Sequence, residues 1–242
     1  PLIMIHGIGA RRATFDGMVA GLKDRFTCIT YDLRGHGLTP WTGGRFDLDD
    51  LVDDLEDLRA RLGIASAHIA GHSLGGMIGP RYAQRYPERV KSLGIWSTAA
   101  FRSEDDSAKV MGVVAAMREK GIGPVLDTLT ARWFTDAFCA ARPDVIDWRK
   151  RQVMDTDPGV FLNVFDIYAE TEMAPWLHQV TAPSHIITGE LDGGCNPRLN
   201  AEINKALPGS ELVILDGLKH AIFIEATDRV LPPVRRFLLA QG

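Results

Sequence analysis

Short apolar segments alternate along the chain with longer segments in which apolar residues recur at helical spacing. The apolar segments, rich in β-branched and aliphatic residues, predict strands at residues 2–6, 26–32, 67–72, 90–97, 184–190 and 211–215. Apolar residues at three- and four-residue spacing predict helices at 15–24, 48–62, 74–85, 197–206 and 226–239. Because the strand segments are continuously apolar, we expect parallel strands that are buried on both faces. The pattern predicts an α/β fold with a mostly parallel, doubly wound sheet.

Two features interrupt this pattern. Pro232 and Pro233 are expected to bend or delay the last helix, since proline lacks the N–H that a helix interior uses. Residues 99–176 contain several helical stretches and no convincing strand. An insertion of that length between two sheet strands indicates a helical cap over one edge of the sheet. We therefore expect a core made of residues 1–98 and 177–242 and a cap at 99–176.

The composition is that of a globular protein and excludes several function classes. Of 242 residues, 45% are hydrophobic and 24% charged, which predicts an ordered chain. Lys plus Arg number 27 and Asp plus Glu number 31, so the net charge is −4 and a general nucleic-acid binder is disfavoured. No apolar run approaches the roughly 20 residues that a membrane helix needs. The chain starts at Pro1 with neither an initiator Met nor a signal peptide, so we expect it to begin inside a domain.

Cysteines and acidic residues give no sign of a metal site. Cys28, Cys139 and Cys195 show neither a zinc-binding spacing nor a disulfide framework. This usage favours a reducing, cytoplasmic location. Cys195 is close in sequence to a candidate catalytic acid and is kept as a candidate modification site. The acidic run at 47–57 is predicted to form a solvated helix face, with acids in the first turn where the helix dipole favours them.

The clearest chemical signal is the sequence GHSLGG at 71–76, between a predicted strand and a predicted helix. It fits the G-x-S-x-G pattern, in which a serine occupies a tight strand-to-helix turn. The residues two before and two after the serine must be small, and Gly71 and Gly75 meet this need. Ser73 would then project from the carboxyl end of the sheet, beside a helix N-terminus that favours developing negative charge. We interpret Ser73 as a candidate nucleophile; the alternative is an idle serine in a glycine turn.

A serine nucleophile needs a base, and the base needs an acid that orients it. His220 differs from the other histidines because it follows the last predicted strand, on a loop at the same sheet edge as Ser73. Asp192 follows the strand at 184–190 and is the candidate acid. Glu190 is its rival, but a strand residue points along the sheet rather than over its edge. The resulting order of nucleophile, acid and histidine is that of a known hydrolase arrangement.

The tetrahedral intermediate of acyl transfer needs preorganised N–H donors for its oxyanion. One candidate donor is the backbone N–H of Leu74, which directly follows the nucleophile. The other is expected from the loop HGIGA at 6–10, where small residues let the backbone approach a substrate. Ile8 is the first choice there and Gly9 the second.

These motifs together resemble the α/β-hydrolase family over essentially the whole chain. The matching features are HG at 6–7, DLRGHG at 32–37, GHSLGG at 71–76, Asp192 and His220, all in family order. The resemblance implies an α/β-hydrolase fold with a helical cap insertion. It also implies two further strands before Leu2, which this sequence does not contain.

Within that family the chain is most similar to 3-oxoadipate enol-lactonases and their esterase relatives. The similar segments are STAA at 97–100, RWFT at 132–135 and DP at 157–158. Arg132 and Trp133 are the substrate-binding candidates. An enol-lactone of that type carries a carboxylate that needs a basic partner. The later cap segment has Glu170 and Glu172 where the resemblance leads us to expect an arginine, which argues against a carboxylate-rich substrate. Arg132 or Arg102 are alternative partners.

The leading hypothesis is a serine hydrolase that cleaves a small carboxylic ester or lactone through an acyl-enzyme, with 3-oxoadipate enol-lactonase activity as one form of it. It requires no metal and no organic cofactor, and its partner is a small molecule rather than a nucleic acid or a membrane. Carbon–carbon bond hydrolysis, perhydrolysis of the haloperoxidase type and acyl transfer use the same triad and stay open. A ligand-binding module on this fold is the alternative outside catalysis. Self-association into a homo-oligomer is also left open.

Overall fold

Six parallel strands form one sheet in the computed structural model, which describes residues 1–41 and 43–241. The strands are β1 (Leu2–Ile5), β2 (Cys28–Tyr31), β3 (Ala67–His72), β4 (Val90–Trp96), β5 (Ser184–Gly189) and β6 (Glu211–Leu215). Their order across the sheet is β2-β1-β3-β4-β5-β6, and every neighbouring pair is parallel. The predicted α/β fold with a parallel sheet is confirmed, and all the predicted strands are present.

Helices connect the strands and cover both faces of the sheet. In chain order they are α1 (Asp16–Leu22), α2 (Leu48–Arg61), α3 (Gly75–Arg85), α4 (Glu104–Lys120), α5 (Ile122–Trp133), α6 (Asp136–Ala141), α7 (Pro143–Met154), α8 (Pro158–Glu170), α9 (Pro197–Ala206), α10 (Ile222–Glu225) and α11 (Thr227–Ala240). Helices α4 to α8 all lie between β4 and β5, and we call residues 99–176 the cap. Within the described part of the chain, no helix is both long enough and apolar enough to cross a membrane.

The sheet is apolar on both faces because successive residues of its inner strands enter two different hydrophobic cores. In β1, Ile3 and Ile5 pack in one cluster, which extends to α2, α3 and the cap. Leu2 and Met4 pack in the other cluster, with side chains of α1 and α11. Both faces of the strand are therefore buried, which explains why the sequence is continuously apolar and not alternating.

The edge strands depart from this expectation. Glu211 and Ile214 of β6 are exposed, and all four residues of β2 are only half-buried. Burial on both faces was therefore a wrong prediction for β6. The reason is its position: β6 is an outermost strand, so it lies at the margin of the helices that cover the two faces of the sheet.

The last helix is not delayed by its prolines, which was one of the two predicted effects. Helix α11 begins at Thr227 and continues through both Pro232 and Pro233, so the prolines do not delay it. Each proline removes one helical hydrogen bond. The helix is held instead by one buried apolar face, made of Val230, Val234, Phe237 and Leu238.

The parallel register brings the candidate residues to one edge of the sheet. Ile5 at the end of β1 lies opposite Gly71 of β3, and His72 lies opposite Trp96 at the end of β4. Gly189 ends β5 opposite Leu215 at the end of β6. The loops that follow β1, β3, β5 and β6 therefore leave the sheet side by side.

Candidate active site

Ser73 occupies a tight turn between β3 and α3. Its backbone has a φ of +57°, in the left-handed region that residues with a side chain seldom adopt. A Cβ at Gly71 would overlap the carbonyl of Gly75, and a Cβ at Gly75 would overlap the carbonyl of Ile5. Only glycine fits these two positions, so the turn is possible because the residues beside Ser73 are small. The Ser73 N–H donates to the carbonyl of Trp96 at 2.9 Å, which anchors the turn to β4.

Asp192 and His220 form a buried hydrogen-bonded pair. The His220 Nδ1 atom lies 2.7 Å from Asp192 Oδ2, and the Asp192 side chain is almost completely enclosed. The other carboxylate oxygen, Oδ1, accepts from the N–H groups of Gly194 at 3.1 Å and Cys195 at 2.8 Å. His72 Nε2 lies 3.0 Å from the carbonyl of His220 and so fixes the loop that carries the imidazole. The carboxylate and the imidazole are therefore both held in place.

The electrostatics of this pair favour a charged carboxylate and a basic imidazole. Burial alone would lower the pKa of His220, but the charge of Asp192 and its hydrogen bond outweigh burial and raise that pKa above its usual value. Burial alone would raise the pKa of Asp192, but His220 and two backbone N–H groups bring it below the usual value. An imidazole with such a partner is a stronger base than a free imidazole.

A cavity of about 310 Å³ lies between this edge of the sheet and the cap. Ser73, Asp192 and His220 all line it. Apolar cap residues line the opposite side, among them Val110, Val113, Leu129 and Phe165. Among the described residues, Ser73 Oγ has no acceptor for its proton, so the hydroxyl is available to a bound molecule. Volume and lining are those of a small-molecule site.

The structure distinguishes the two candidate donors in the loop after β1. The N–H of Gly9 donates to His36 Nε2 at 3.1 Å and is therefore occupied. The N–H groups of Ile8 and Leu74 have no acceptor among the described residues. The carbonyl of Gly7 accepts from His6 Nδ1 at 2.8 Å, which turns the N–H of Ile8, on the opposite side of the same planar peptide, away from His6. This geometry favours Ile8 over Gly9 as a donor to a ligand.

Arg149, a cap residue of α7 that lines the cavity, was not predicted as a site residue from the sequence. Its guanidinium donates to the carbonyl of Gly9 at 2.5 Å and to that of Ile8 at 2.9 Å. It also lies over the ring of Trp133, 4.6 Å from the centroid. No carboxylate pairs with it among the described residues, and burial lowers the pKa of Arg149 to about 9, which leaves the side chain charged at neutral pH. It is one of three successive basic residues, and nothing in the sequence sets it apart.

Three of the residues considered for substrate contact also line the cavity: Arg132, Trp133 and Arg102. Arg102 donates from Nη1 to the carbonyl of Thr171 at 2.9 Å and lies over the ring of Tyr168. Among the described residues, its Nε and Nη2 atoms have no hydrogen-bond partner. The cavity wall therefore carries positive charge that the protein itself leaves partly uncompensated.

Glu170 and Glu172 do not line the cavity, so the prediction against a carboxylate-rich substrate, which depended on them, was wrong. Glu170 lies near Arg45, at 3.6 Å, on the exposed surface. Glu172 accepts from the backbone N–H groups of Phe101, Arg102 and Ala174 at 2.9–3.1 Å. Its role is to fix the chain where it leaves β4 for the cap.

The rival triad acid Glu190 and the acidic run at 47–57 both have structural roles. Glu190 accepts from the N–H of Gly217 at 2.8 Å and does not line the cavity. In the acidic run, Asp47 and Asp50 form a capping box at the start of α2.

Among the described residues, one group has the side chains and proximity to hold a metal ion, and it consists of Asp192, Cys195 and His220.

The alpha/beta hydrolase fold family matches residues 1–227 of the chain. The chain belongs to the α/β-hydrolase family. The topology of the sheet and the serine turn after β3 are thus those of an α/β hydrolase, and the resemblance drawn from the motifs is confirmed.

The relatives of this α/β hydrolase include lactonases and esterases. The 3-oxoadipate enol-lactonase 2 of Acinetobacter baylyi is 27% identical over 191 residues, which cover 79% of this chain and 71% of the relative. The pimeloyl-[acyl-carrier protein] methyl ester esterase of Aliivibrio salmonicida is 27% identical and covers 98% of this chain and 91% of its own. The crystal structure of the enol-lactonase from Burkholderia xenovorans LB400 superposes with a TM-score of 0.90 at 25% identity, covering 98% of this chain and 90% of that one. These similarities support a hydrolase of the ester or lactone type.

Proposed function

We propose that this α/β hydrolase cleaves a small carboxylic ester or lactone, with Ser73 as nucleophile, His220 as base and Asp192 as the acid that orients the base. One observation carries the proposal. A serine on a strained turn opens onto the same cavity as an imidazole that is held, at 2.7 Å, by a buried carboxylate. A serine hydroxyl becomes a useful nucleophile only when a base accepts its proton, and this cavity supplies one.

In the first half of the reaction, Ser73 Oγ attacks the substrate carbonyl while its proton passes to His220. The negative charge of Asp192 stabilises the imidazolium that forms, and the hydrogen bond to Nδ1 holds the ring in the tautomer that exposes Nε2. The substrate carbonyl oxygen becomes an oxyanion, which accepts from the N–H groups of Ile8 and Leu74. His220 then gives its proton to the leaving alcohol, and Ser73 keeps the acyl group.

In the second half, water replaces the alcohol. His220 removes a proton from the water, the resulting hydroxide attacks the acyl carbon, and the same N–H groups bind the second oxyanion. The intermediate collapses, the proton returns to Ser73 Oγ, and the carboxylic acid leaves. For a lactone the freed alcohol stays part of the acyl group, so hydrolysis releases one molecule, a hydroxy acid. From an enol-lactone the product is an enol acid, which converts to the keto acid.

The charges that line the cavity favour a substrate with a carboxylate group. Arg102, Lys109, Arg132 and Arg149 all line it. The acid on the cap side, Asp106, is held by the capping box of α4 and by Arg198. In the part of the chain that the structure describes, none of these four side chains forms a salt bridge, so an anionic group on the substrate would meet unpaired positive charge in the cavity. The enol-lactone of 3-oxoadipate is one molecule of this class.

The test is hydrolysis of a short-chain aryl ester by the native protein and by Ser73→Ala, together with labelling by an aryl phosphonate. We expect kcat/KM to fall by about 10⁴-fold or more in Ser73→Ala. The phosphonate should label the native protein once, on the peptide that contains Ser73, as read by mass spectrometry. Ser107→Ala is the matched control, because Ser107 lies on α4 and does not line the cavity.

Each outcome is informative. Full activity in a folded Ser73→Ala variant contradicts the nucleophile assignment. Phosphonate labelling of Ser73 without ester turnover supports the nucleophile and directs attention to lactone, carbon–carbon bond and perhydrolysis substrates. Neither labelling nor turnover of any of these, in a folded protein, supports a ligand-binding module instead.

A further inference from the structure

Cys195 lies beside the pair formed by Asp192 and His220 but has no part in the proposed reaction. One ligand atom from each of these three residues lies within 4.8 Å of the other two. The Cys195 side chain is 1% exposed, and its sulfur lies 3.1 Å from the hydroxyl of Tyr168. Because the ligands come from positions 192, 195 and 220, no zinc-binding spacing is visible in the sequence.

We propose that Asp192, Cys195 and His220 form an inhibitory binding site for a thiophilic divalent cation such as Zn²⁺ or Cd²⁺. Thiolate, imidazole and carboxylate are the three ligand types that zinc takes from proteins. The ligand atoms of a tetrahedral zinc site lie roughly 3 to 4 Å apart, given bonds of about 2.0–2.3 Å. His220 Nδ1 and Asp192 Oδ2 lie 2.7 Å apart and must separate slightly, whereas no two of the ligand atoms are more than 4.8 Å apart, so the group needs shifts of about 1–2 Å to close on an ion.

The site is built to admit an ion and to hold it. All three residues line the cavity, so an ion approaches them from the cavity side and not through the core. The charge of Asp192 attracts a cation, and its Oδ1 remains anchored by two backbone N–H groups. Tyr168 Oη, next to the sulfur, or a water molecule completes four ligands. Binding releases the thiol proton of Cys195 to solvent and moves the imidazole proton of His220 from Nδ1 to Nε2, so that a neutral imidazole binds the ion through Nδ1.

Occupation of this site removes the catalytic function proposed above. The ion takes the carboxylate oxygen and the imidazole that the proposed mechanism uses as acid and base. Ser73 would then have no proton acceptor, whatever substrate is bound. This part of the inference rests on the proposed function, whereas binding of the ion itself does not.

Binding is measured with Cd²⁺, which gives an ultraviolet charge-transfer band when a thiolate coordinates it. We expect the band in the native protein and in Ser73→Ala, which lacks the nucleophile but keeps all three ligands. The band should disappear in Cys195→Ala. Cys139→Ala is the matched control, because Cys139 is a half-buried thiol of α6 that does not line the cavity.

Inhibition is measured with Zn²⁺ in the aryl ester assay, each variant being compared with its own metal-free rate. We expect inhibition that a chelator reverses, with an inhibitory concentration at least about 10-fold higher in Cys195→Ala than in the native protein. Equal inhibition of both proteins, or a Cd²⁺ band that survives in Cys195→Ala, overturns the site. A Cys195-dependent band in a protein that hydrolyses no ester supports the metal site and contradicts the proposed function.

Discussion

Arg149 Nη2 lies 2.9 Å from the carbonyl oxygen of Ile8, and this contact joins the cap to the loop that is proposed to bind the oxyanion. The same guanidinium binds the carbonyl of Gly9, so two successive peptides are oriented from the cap side. A peptide is planar, and the direction of its carbonyl therefore sets the direction of the N–H on its other side. These two peptides carry the N–H groups of Gly9 and Ala10. Arg149 thus fixes the part of the loop that directly follows the proposed donor Ile8 and is in this sense a positioning residue for the loop.

Replacement of Arg149 by methionine should lower kcat for a neutral aryl ester by about 10- to 100-fold, with a smaller change in KM. The loop loses its anchor, and a displacement of about 1 Å at a catalytic group has effects of that size. Arg149→Lys keeps the charge and one donor and should recover part of the loss. The kinetic constants of the three proteins check this.

Arg151→Met is the control for this prediction, since Arg151 is an exposed residue of the same helix. It should leave kcat unchanged. If Arg149→Met raises KM for a neutral ester and leaves kcat intact, Arg149 contacts the substrate and does not position the loop.

Asp192→Asn should lower kcat by about 10³- to 10⁴-fold, because the amide neither fixes the reactive tautomer nor stabilises the imidazolium. It should also shift the acid limb of the pH–rate profile to lower pH. The sign follows from the electrostatics: the carboxylate raises the pKa of His220, so its removal lowers that pKa and frees the base at lower pH. The residual activity of the variant, measured across pH, reports both effects.

Glu190, the alternative candidate for the triad acid, provides the matched control for Asp192→Asn. Glu190 binds the N–H of Gly217 outside the cavity, so Glu190→Gln should retain activity and the native pH profile. A loss in Glu190→Gln as large as that in Asp192→Asn would show that the acid has been assigned to the wrong residue.

The sheet and the candidate triad were predictable from the sequence because they depend on local patterns and one rule of topology. Continuous apolar runs predicted the strands, and parallel strands end at one edge. Ser73, Asp192 and His220 each follow such a run, so their convergence required no knowledge of distances. Only glycine fits at Gly71 and Gly75, so the tight turn at Ser73 is visible in the sequence as a motif.

Arg102, Arg132 and Trp133 were expected at the substrate from the resemblance and do line the cavity, but the rest of its wall was not predictable from local patterns. Arg149 reaches the loop after β1 across more than a hundred residues of sequence, and that contact depends on how the cap packs. Glu172 looked like a cavity acid but binds three backbone N–H groups at the cap entrance. Side chains on irregularly packed helices are placed by tertiary contacts, which periodicity does not encode.

Arg132→Ala should weaken binding of a carboxylate-bearing ester more than that of a neutral ester of the same size. Arg132 is an exposed cap residue on the cavity wall, so its attraction is screened and a KM increase of about 3- to 10-fold is expected for the anionic substrate alone. Arg142→Ala is the control, because Arg142 is paired with Asp144 away from the cavity. Equal changes in KM for both esters would exclude a role for Arg132 in recognising the carboxylate.

His185→Phe should stabilise the protein, and more so at acidic pH. His185 of β5 is fully buried and stacks on Phe237 at 5.1 Å, and neither ring nitrogen has a hydrogen-bond partner among the described residues. Burial lowers the pKa of His185 to about 4, whereas an unfolded histidine titrates near 6.5. Between pH 6.5 and 4, His185 is therefore protonated in the unfolded chain but not in the folded protein. The free energy of unfolding falls as the pH falls through this range.

Phenylalanine keeps the planar ring and removes both unsatisfied nitrogens, so the free energy of unfolding should rise by about 1–2 kcal/mol at pH 7.5. The advantage should grow by up to about 2 kcal/mol at pH 5, because one titrating group has been removed from the unfolded state. Urea unfolding of both proteins at the two pH values measures this, with the exposed His178→Phe as the control that should not alter the pH dependence. If the difference between native protein and His185→Phe is the same at both pH values, His185 is protonated at pH 5 in the folded protein just as in the unfolded chain. A polar partner for it must then exist.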